Sequence, residues 1–164
     1  MRRLVVATLL LATLLYAPAW AQKGAPDQVF TAKVERVTDG DTVVFPQGSC
    51  RLLGIDAPEK AQPLGAEAGR TLAELLGDAP VLVMVWGKDR YGRSLCLILA
   101  QDGYLANITL VESGLALVYM ADRLFVKDGL EAAQARAKAD RRGVWGLKSF
   151  EKPWDYRARI RGQK

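Results

Sequence analysis

Between Val29 and Leu99 the chain is cut into short apolar runs by turn residues, and a helical period intrudes only once. Few folds accommodate that pattern. Val29 to Val37 alternates as a half-buried strand does, with Val29, Thr31, Lys33 and Glu35 set against Phe30, Ala32 and Val34. Thr38-Asp39-Gly40-Asp41 reads as a turn, Thr42 to Phe45 as a second strand, and Pro46-Gln47-Gly48 as a second turn. Cys50 to Ile55 is a third strand, which Asp56-Ala57-Pro58 must end, because proline has no N–H for a ladder. After a loop with Pro63 and Gly65, Ala66 to Leu76 spaces Ala68, Leu72 and Leu75-Leu76 as a helix does, and Gly77 stands where helices stop. Val81 to Trp86 is a dense apolar run, Gly87 to Gly92 a charged turn, and Leu95 to Leu99 a fifth strand.

The last third reads as helical. Leu105 to Ser113 ends at Gly114, and Lys127 to Arg142 ends at Gly143, with Leu130, Ala133 and Ala137 on one face. A polar, basic tail covers about 146–164. Five strands in meander order, with a helix inserted between the third and fourth, is the layout of a mainly β oligonucleotide/oligosaccharide-binding (OB) barrel carrying about three α-helices. Strand count alone leaves a sandwich open.

Met-Arg-Arg precedes an apolar run from Leu4 to Trp20 that ends in Ala19-Trp20-Ala21, the layout of a secretory signal peptide over 1–21. Export to a periplasm or the medium is therefore expected, with one domain over 22–164. An uncleaved anchor is the alternative, but Pro18 interrupts the run and leaves it short of the ~20 residues a spanning helix needs. Of 23 basic residues, the leader holds Arg2 and Arg3, so a processed chain keeps only a mild excess over its 18 acids. The chain has no histidine, which excludes Ser-His-Asp, Cys-His and histidine-based zinc chemistry. Catalysis must then use carboxylates, arginines and a hard metal. Two cysteines, Cys50 and Cys96, are too few for a cysteine metal site, though export permits a disulfide.

Asp39 and Asp41 flank Gly40 in the first turn, and Asp56 and Glu59 stand at the exit of the third strand. A barrel that joins these two regions gathers carboxylate oxygens suited to calcium. Read singly, they are equally an ordinary hairpin turn and an ordinary strand exit. Arg51 lies in an otherwise apolar strand, where a charge is costly without a carboxylate or phosphate partner. Arg93 follows Tyr91-Gly92 at the mouth of the fifth strand. Guanidinium groups bind phosphate bidentately and offset charge that builds during phosphoryl transfer, and each is equally a structural salt-bridge residue when taken alone.

Three motifs in order, Val37-Thr38-Asp39-Gly40-Asp41-Thr42, then Arg51-Leu52-Leu53-Gly54-Ile55-Asp56-Ala57-Pro58-Glu59, then Lys88-Asp89-Arg90-Tyr91-Gly92-Arg93, make the chain resemble the staphylococcal nuclease family. Weaker agreement continues through Ala106-Asn107, Leu110-Val111, Gly114-Leu115-Ala116 and Gly143-Val144-Trp145, so the resemblance spans about 32–145. It implies a calcium-dependent nuclease acting on DNA and RNA that cleaves the bond to the 5′ oxygen and leaves 3′-phosphate ends. On this resemblance Asp41 and Asp56 ligate Ca2+ with the Ala57 carbonyl, Glu59 orients or deprotonates the attacking water, and Arg51 and Arg93 clamp the phosphate. Asp39 supports the turn.

The chain also departs from the family pattern. The loop from Glu59 to Glu67 is shorter, Ala57 replaces a threonine, and Arg90-Tyr91 replaces a lysine-tyrosine pair. Arg90 and Tyr91 could hold a terminal phosphate and stack on a base, and Tyr119 lies near the family's later tyrosine pair but out of register. If both arginines face the cleft, strand alternation turns Cys50 and Cys96 to the opposite face of neighbouring strands, and a disulfide between them is expected, with two buried thiols as the alternative. Trp86, Trp145 and Trp154 read as core or tail-packing residues. Arg157, Arg159, Arg161 and Lys164 form a basic tail that either follows a nucleic-acid backbone or is a solvated end. A monomer is expected. The competing readings are a noncatalytic nucleic-acid-binding module of the same fold and an exported domain with a structural calcium site.

Overall fold

The computed structural model describes residues 25–120 and 126–163, so the expected leader and Lys164 lie outside the described residues. Eight strands are described: β1 (Gln28–Ala32), β2 (Arg36–Asp39), β3 (Thr42–Phe45), β4 (Gly48–Leu52), β5 (Ile55–Asp56), β6 (Val81–Lys88), β7 (Ser94–Leu99) and β8 (Leu117–Val118). The described α-helices are α1 (Gly65–Leu76), α2 (Ala106–Glu112), α3 (Lys127–Ala139) and α4 (Pro153–Gly162), and a 3-10 turn covers Gly143–Gly146. Six strands form one sheet in the order β1-β6-β7-β4-β3-β2, while β5 and β8 pair separately. The architecture is mainly β with helices, the OB fold expected from the strand and helix order.

The first strand is not continuous over 29–37. Its first half pairs antiparallel with β6, Phe30 opposite Val83, and its second half pairs with β3, Val37 opposite Val43. The two outermost strands of the sheet are thus successive pieces of chain, joined through residues 33–35. An extended link from Ala32 to Arg36 reaches only ~14 Å, whereas the outer strands of a flat six-stranded sheet stand ~24 Å apart. The sheet must curl on itself, and the break at 33–35 lets one segment serve both edges.

The third expected strand is also divided. Gly54 takes a φ of 80°, a left-handed turn that glycine adopts without strain, and sends β5 away from the sheet to pair with β8. On the other side of this turn, β4 runs parallel to β7, with Leu52 opposite Cys96. Cys50 and Cys96 are disulfide-bonded across that pair, with Cα atoms 5.9 Å apart. Asn107 of α2, fully buried, ties the same strands together: its side-chain amide donates to the carbonyls of Leu53 and Cys96 at 2.9 and 3.1 Å and accepts from the Ile98 N–H at 3.2 Å. Both amide hydrogens and the amide oxygen are partnered, as burial demands.

Alternation sets the core. Val81, Val83 and Val85 of β6 point inward, while Leu82, Met84 and Trp86 stay half-buried. Helix α1 buries Ala68, Leu72 and Leu76 at successive turns, and α3 buries Leu130, Ala133 and Ala137. The stretch expected as a tail is in part a helix, with Pro153 buried at the first turn of α4, where its missing N–H costs nothing. Among the described residues no helix is long and apolar enough to cross a membrane.

Candidate active site

The Asp39-Gly40-Asp41 turn between β2 and β3 is pressed against the exit of β5 and against α1. A Cβ on Gly40 would stand 2.6 Å from the Cβ atoms of both Ala57 and Ala68. Only glycine allows this approach, which seats Asp41 beside Ala57: the Ala57 N–H donates to Asp41 Oδ2 at 3.1 Å. The Asp41 N–H donates to Asp39 Oδ1 at 3.1 Å, so Asp39 braces the turn.

Arg51 joins the two acidic regions. Its Nη1 donates to Asp41 Oδ1 at 2.5 Å and its Nη2 to Asp56 Oδ1 at 2.6 Å. Asp41 is 4% exposed and Asp56 0%, so the charge inside the strand is explained by two buried acids rather than one. Burial opposes the charge on Arg51, but Asp41 and Asp56 outweigh it and raise its pKa. Burial pushes Asp41 up to about 6; Arg51 pulls it back, and Asp39 and Asp56 add to the rise.

Arg93 is placed by a tight β6–β7 turn. Asp89 accepts from the Tyr91 and Arg93 N–H groups at 2.8 and 3.0 Å and from Arg93 Nε at 2.8 Å. Although desolvation works against it, these hydrogen bonds with Arg93 and Tyr91 lower the Asp89 pKa. Arg93 Nη1 also reaches Thr42 Oγ1 at 3.4 Å, beside Asp41. Arg90 Nη2 donates to the Tyr91 hydroxyl at 2.8 Å, and the guanidinium groups of Arg90 and Arg93 lie 4.9 and 5.6 Å from the Tyr91 ring centre.

Glu59 sits in a short loop closed by Gly65, whose added Cβ would stand 1.9 Å from the Glu59 carbonyl oxygen. Gln62 holds that loop, accepting from the Glu59 N–H at 2.9 Å and donating to the Glu151 carbonyl at 2.7 Å. The second contact brings in the C-terminal segment. Arg157 of α4 donates from Nη1 to Glu59 Oε1 at 2.7 Å and to Asp56 Oδ1 at 3.1 Å, and from Nη2 to Asp56 Oδ2 at 2.6 Å. Partial burial works against its charge, but Asp56 and Glu59 raise its pKa well above the usual arginine range.

These side chains line one cleft of about 860 Å³, together with Asp39, Tyr119, Trp154 and Arg161. Tyr119 and Trp154 stack at 5.1 Å with 26° between ring planes, so Trp154 belongs to the cleft wall rather than to remote packing. Every residue expected at the site is in or beside it: Asp41, Arg51, Ala57, Glu59, Arg90, Tyr91, Arg93 and Tyr119 line the cleft, and Asp56 lies under Arg51 and Arg157. Sequence reasoning missed Arg157 and the turn-building role of Asp89. For Arg157 the available signal was a helix start, Lys152-Pro153 with Asp155 in the first turn.

The donor set can be weighed against a hard cation. One guanidinium contacts an oxygen of Asp41, from the turn between β2 and β3, and an oxygen of Asp56, from β5, so the fold brings the two carboxylates together. Carboxylate oxygens without nitrogen or sulfur suit calcium or magnesium. Among the described residues no three acidic or cysteine side chains group closely enough to hold an ion alone. Backbone carbonyls, such as that of Ala57, and water would therefore complete the shell.

Comparison with known proteins identifies the family. A family model described as staphylococcal nuclease homologue matches residues 49–146. An uncharacterised endonuclease of Escherichia coli O157:H7 is 34% identical over 131 residues, covering 77% of this chain and 84% of that one. A micrococcal nuclease of Shigella flexneri is 32% identical over 152 residues, covering 85% and 83%, and an uncharacterised endonuclease of Haemophilus influenzae is 32% identical over 135 residues, covering 77% and 72%. The matched segment holds Arg51, Asp56, Glu59 and Arg93, and the chain belongs to the staphylococcal nuclease homologue family.

Proposed function

We propose that the protein is an exported, calcium-dependent nuclease that hydrolyses DNA and RNA and leaves 3′-phosphate ends. The observation that carries this reading is the pairing of Asp41 and Asp56 on Arg51 at the wall of a cleft shared with Glu59 and Arg93. Relatives named as endonucleases support a phosphodiester hydrolase. The leader pattern at 1–21 and the Cys50–Cys96 pair support export.

Asp41 and Asp56, with the Ala57 carbonyl, would hold calcium, which when bound polarises a phosphoryl oxygen. Glu59, at the open side of the cleft, accepts a proton from the attacking water. The water oxygen bonds to phosphorus, the bond to the 5′ oxygen breaks, and that oxygen takes up a proton. Arg51 and Arg93, fixed on β4 and by Asp89, stabilise the charge on the phosphoryl oxygens as it builds. Arg90 and Tyr91 at the hairpin tip, and Tyr119 in the same cleft, would hold a flanking phosphate and base.

The test is cleavage of single-stranded DNA, duplex DNA and RNA with calcium and then with a chelator, with end-group analysis of the products. Cleavage only with calcium, 3′-phosphate ends, and a loss of about 100-fold or more in Glu59→Gln and Arg93→Ala are expected. Binding without cleavage would establish the noncatalytic module instead, and 5′-phosphate ends would overturn the assigned bond.

A further inference from the structure

We propose that Arg157 of α4 is a third guanidinium of the active site: it holds Asp56 and Glu59 in the cation-free protein and turns to a phosphate of the bound nucleic acid once those carboxylates engage calcium. This rests on the reading of the cleft as a calcium-dependent nuclease site. Its starting point is that Asp56 is wholly buried and both its oxygens are taken, Oδ1 by Arg51 and Arg157 and Oδ2 by Arg157. With three hydrogen bonds on about four acceptor positions, Asp56 leaves a cation little room until a guanidinium leaves. The one with somewhere to go is Arg157, whose side chain is 34% exposed against 16% for Arg51. Glu59 is likewise engaged by Arg157, through Oε1.

The helix can release this side chain without coming away. Pro153 is buried, Trp154 stacks on Tyr119, and the Glu151 carbonyl accepts from Gln62, while the exposed Glu151–Arg159 pair at 2.9 and 2.8 Å adds little. None of these anchors uses Arg157. One turn on, Arg161 lines the same cleft and donates from Nε to the Arg157 carbonyl at 3.2 Å. Helix α4 therefore offers two arginines about 6 Å apart along its axis to whatever lies in the cleft. A guanidinium released from two carboxylates faces anionic substrate in the same space, and its planar fork matches a phosphate as it matched the acids. The matched family segment ends at residue 146, so α4 supplies this group from outside it.

The purified protein and its Arg157→Gln, Arg157→Lys and Arg159→Gln variants would be compared in two measurements: calcium binding by calorimetry without nucleic acid, and KM and kcat on a single-stranded oligonucleotide. Circular dichroism establishes that each variant folds. Arg157→Gln should bind calcium about fivefold tighter or more, because a competing cation is gone, and raise KM about tenfold, because a charge-assisted phosphate contact is lost. Arg157→Lys should lie between it and wild type, and Arg159→Gln should match wild type. Should Arg157→Gln not fold, Arg157→Lys reads the same two quantities. Unchanged or weaker calcium binding, or an unchanged KM, would overturn the proposal. Failure of the wild-type protein to cleave with calcium would instead overturn the nuclease reading, and the calcium measurement on Arg157→Gln would still stand on its own.

Discussion

Gly40→Ala isolates how the fold assembles the site. The backbone at Gly40 does not require a positive φ, so alanine meets no dihedral strain there and the effect is purely steric. The new methyl carbon would lie 2.6 Å from the Ala57 and Ala68 methyls, whereas carbon atoms pack at about 3.5–4.0 Å. The turn must therefore retreat by about 1 Å from either the β5 exit or α1. Overpacking of this size costs about 1–3 kcal/mol, or roughly 3–10 °C in Tm for a domain of this length. The same retreat draws Asp41 away from the Ala57 N–H and from the oxygen of Asp56 that shares Arg51 with it. A misplacement of this order costs about 100-fold in rate. Urea unfolding, calcium titration and cleavage rate, measured on one preparation, check both halves. Adding Ala57→Gly removes one of the two clashes and should restore part of both losses. A Gly40→Ala protein with wild-type stability and wild-type cleavage would refute the claim that this contact seats Asp41.

Three further outcomes follow from the same geometry. Burial raises Asp41 above its usual 3.8 to about 6, so the folded state holds that proton more tightly than the unfolded chain. Its contribution to stability is therefore full below about pH 4 and is lost as pH rises through about 6; in cation-free protein, Asp41→Asn should flatten this part of the Tm–pH profile, and an unaltered profile would count against it. Calcium affinity should climb over the same window, since Asp41 must be ionised to ligate, which calorimetry at pH 5 and 7.5 would show. The Cys50–Cys96 bond closes a loop of sequence separation 46, so its reduction should cost about 4 kcal/mol by chain entropy, and a denaturant midpoint unmoved by reduction would refute that stabilisation.

Much of this site is written in local sequence. Asp41, Asp56 and Glu59 fall at turn and strand-exit positions that are ordinary one by one and telling only as three ordered motifs, and an arginine inside Cys50-Arg51-Leu52-Leu53 demands an anionic partner. Less legible was what distant pairing fixes. Lys33-Val34-Glu35 contains no glycine or proline, so nothing local marks the break that sends β1 and β2 to opposite edges of the sheet. That β4 and β7 are neighbours, bridged by Cys50 and Cys96, was expected only through the barrel layout, not from local sequence. Arg157 was hidden for a related reason: its partners lie 98 and 101 residues away, and in sequence it is one arginine among several at a basic end. The length of α4 was open to a capping argument; the direction of Arg157 was not.

The central claim, that the carboxylates and arginines of this cleft form a calcium-dependent nuclease, is tested most directly by titrating calcium into the purified protein with single-stranded DNA and following chain cleavage. No cleavage in chelator, saturable cleavage with added calcium, and its loss in Asp41→Asn under the same conditions are expected. Cleavage that persists in chelator, or that survives Asp41→Asn at the wild-type rate, would contradict it.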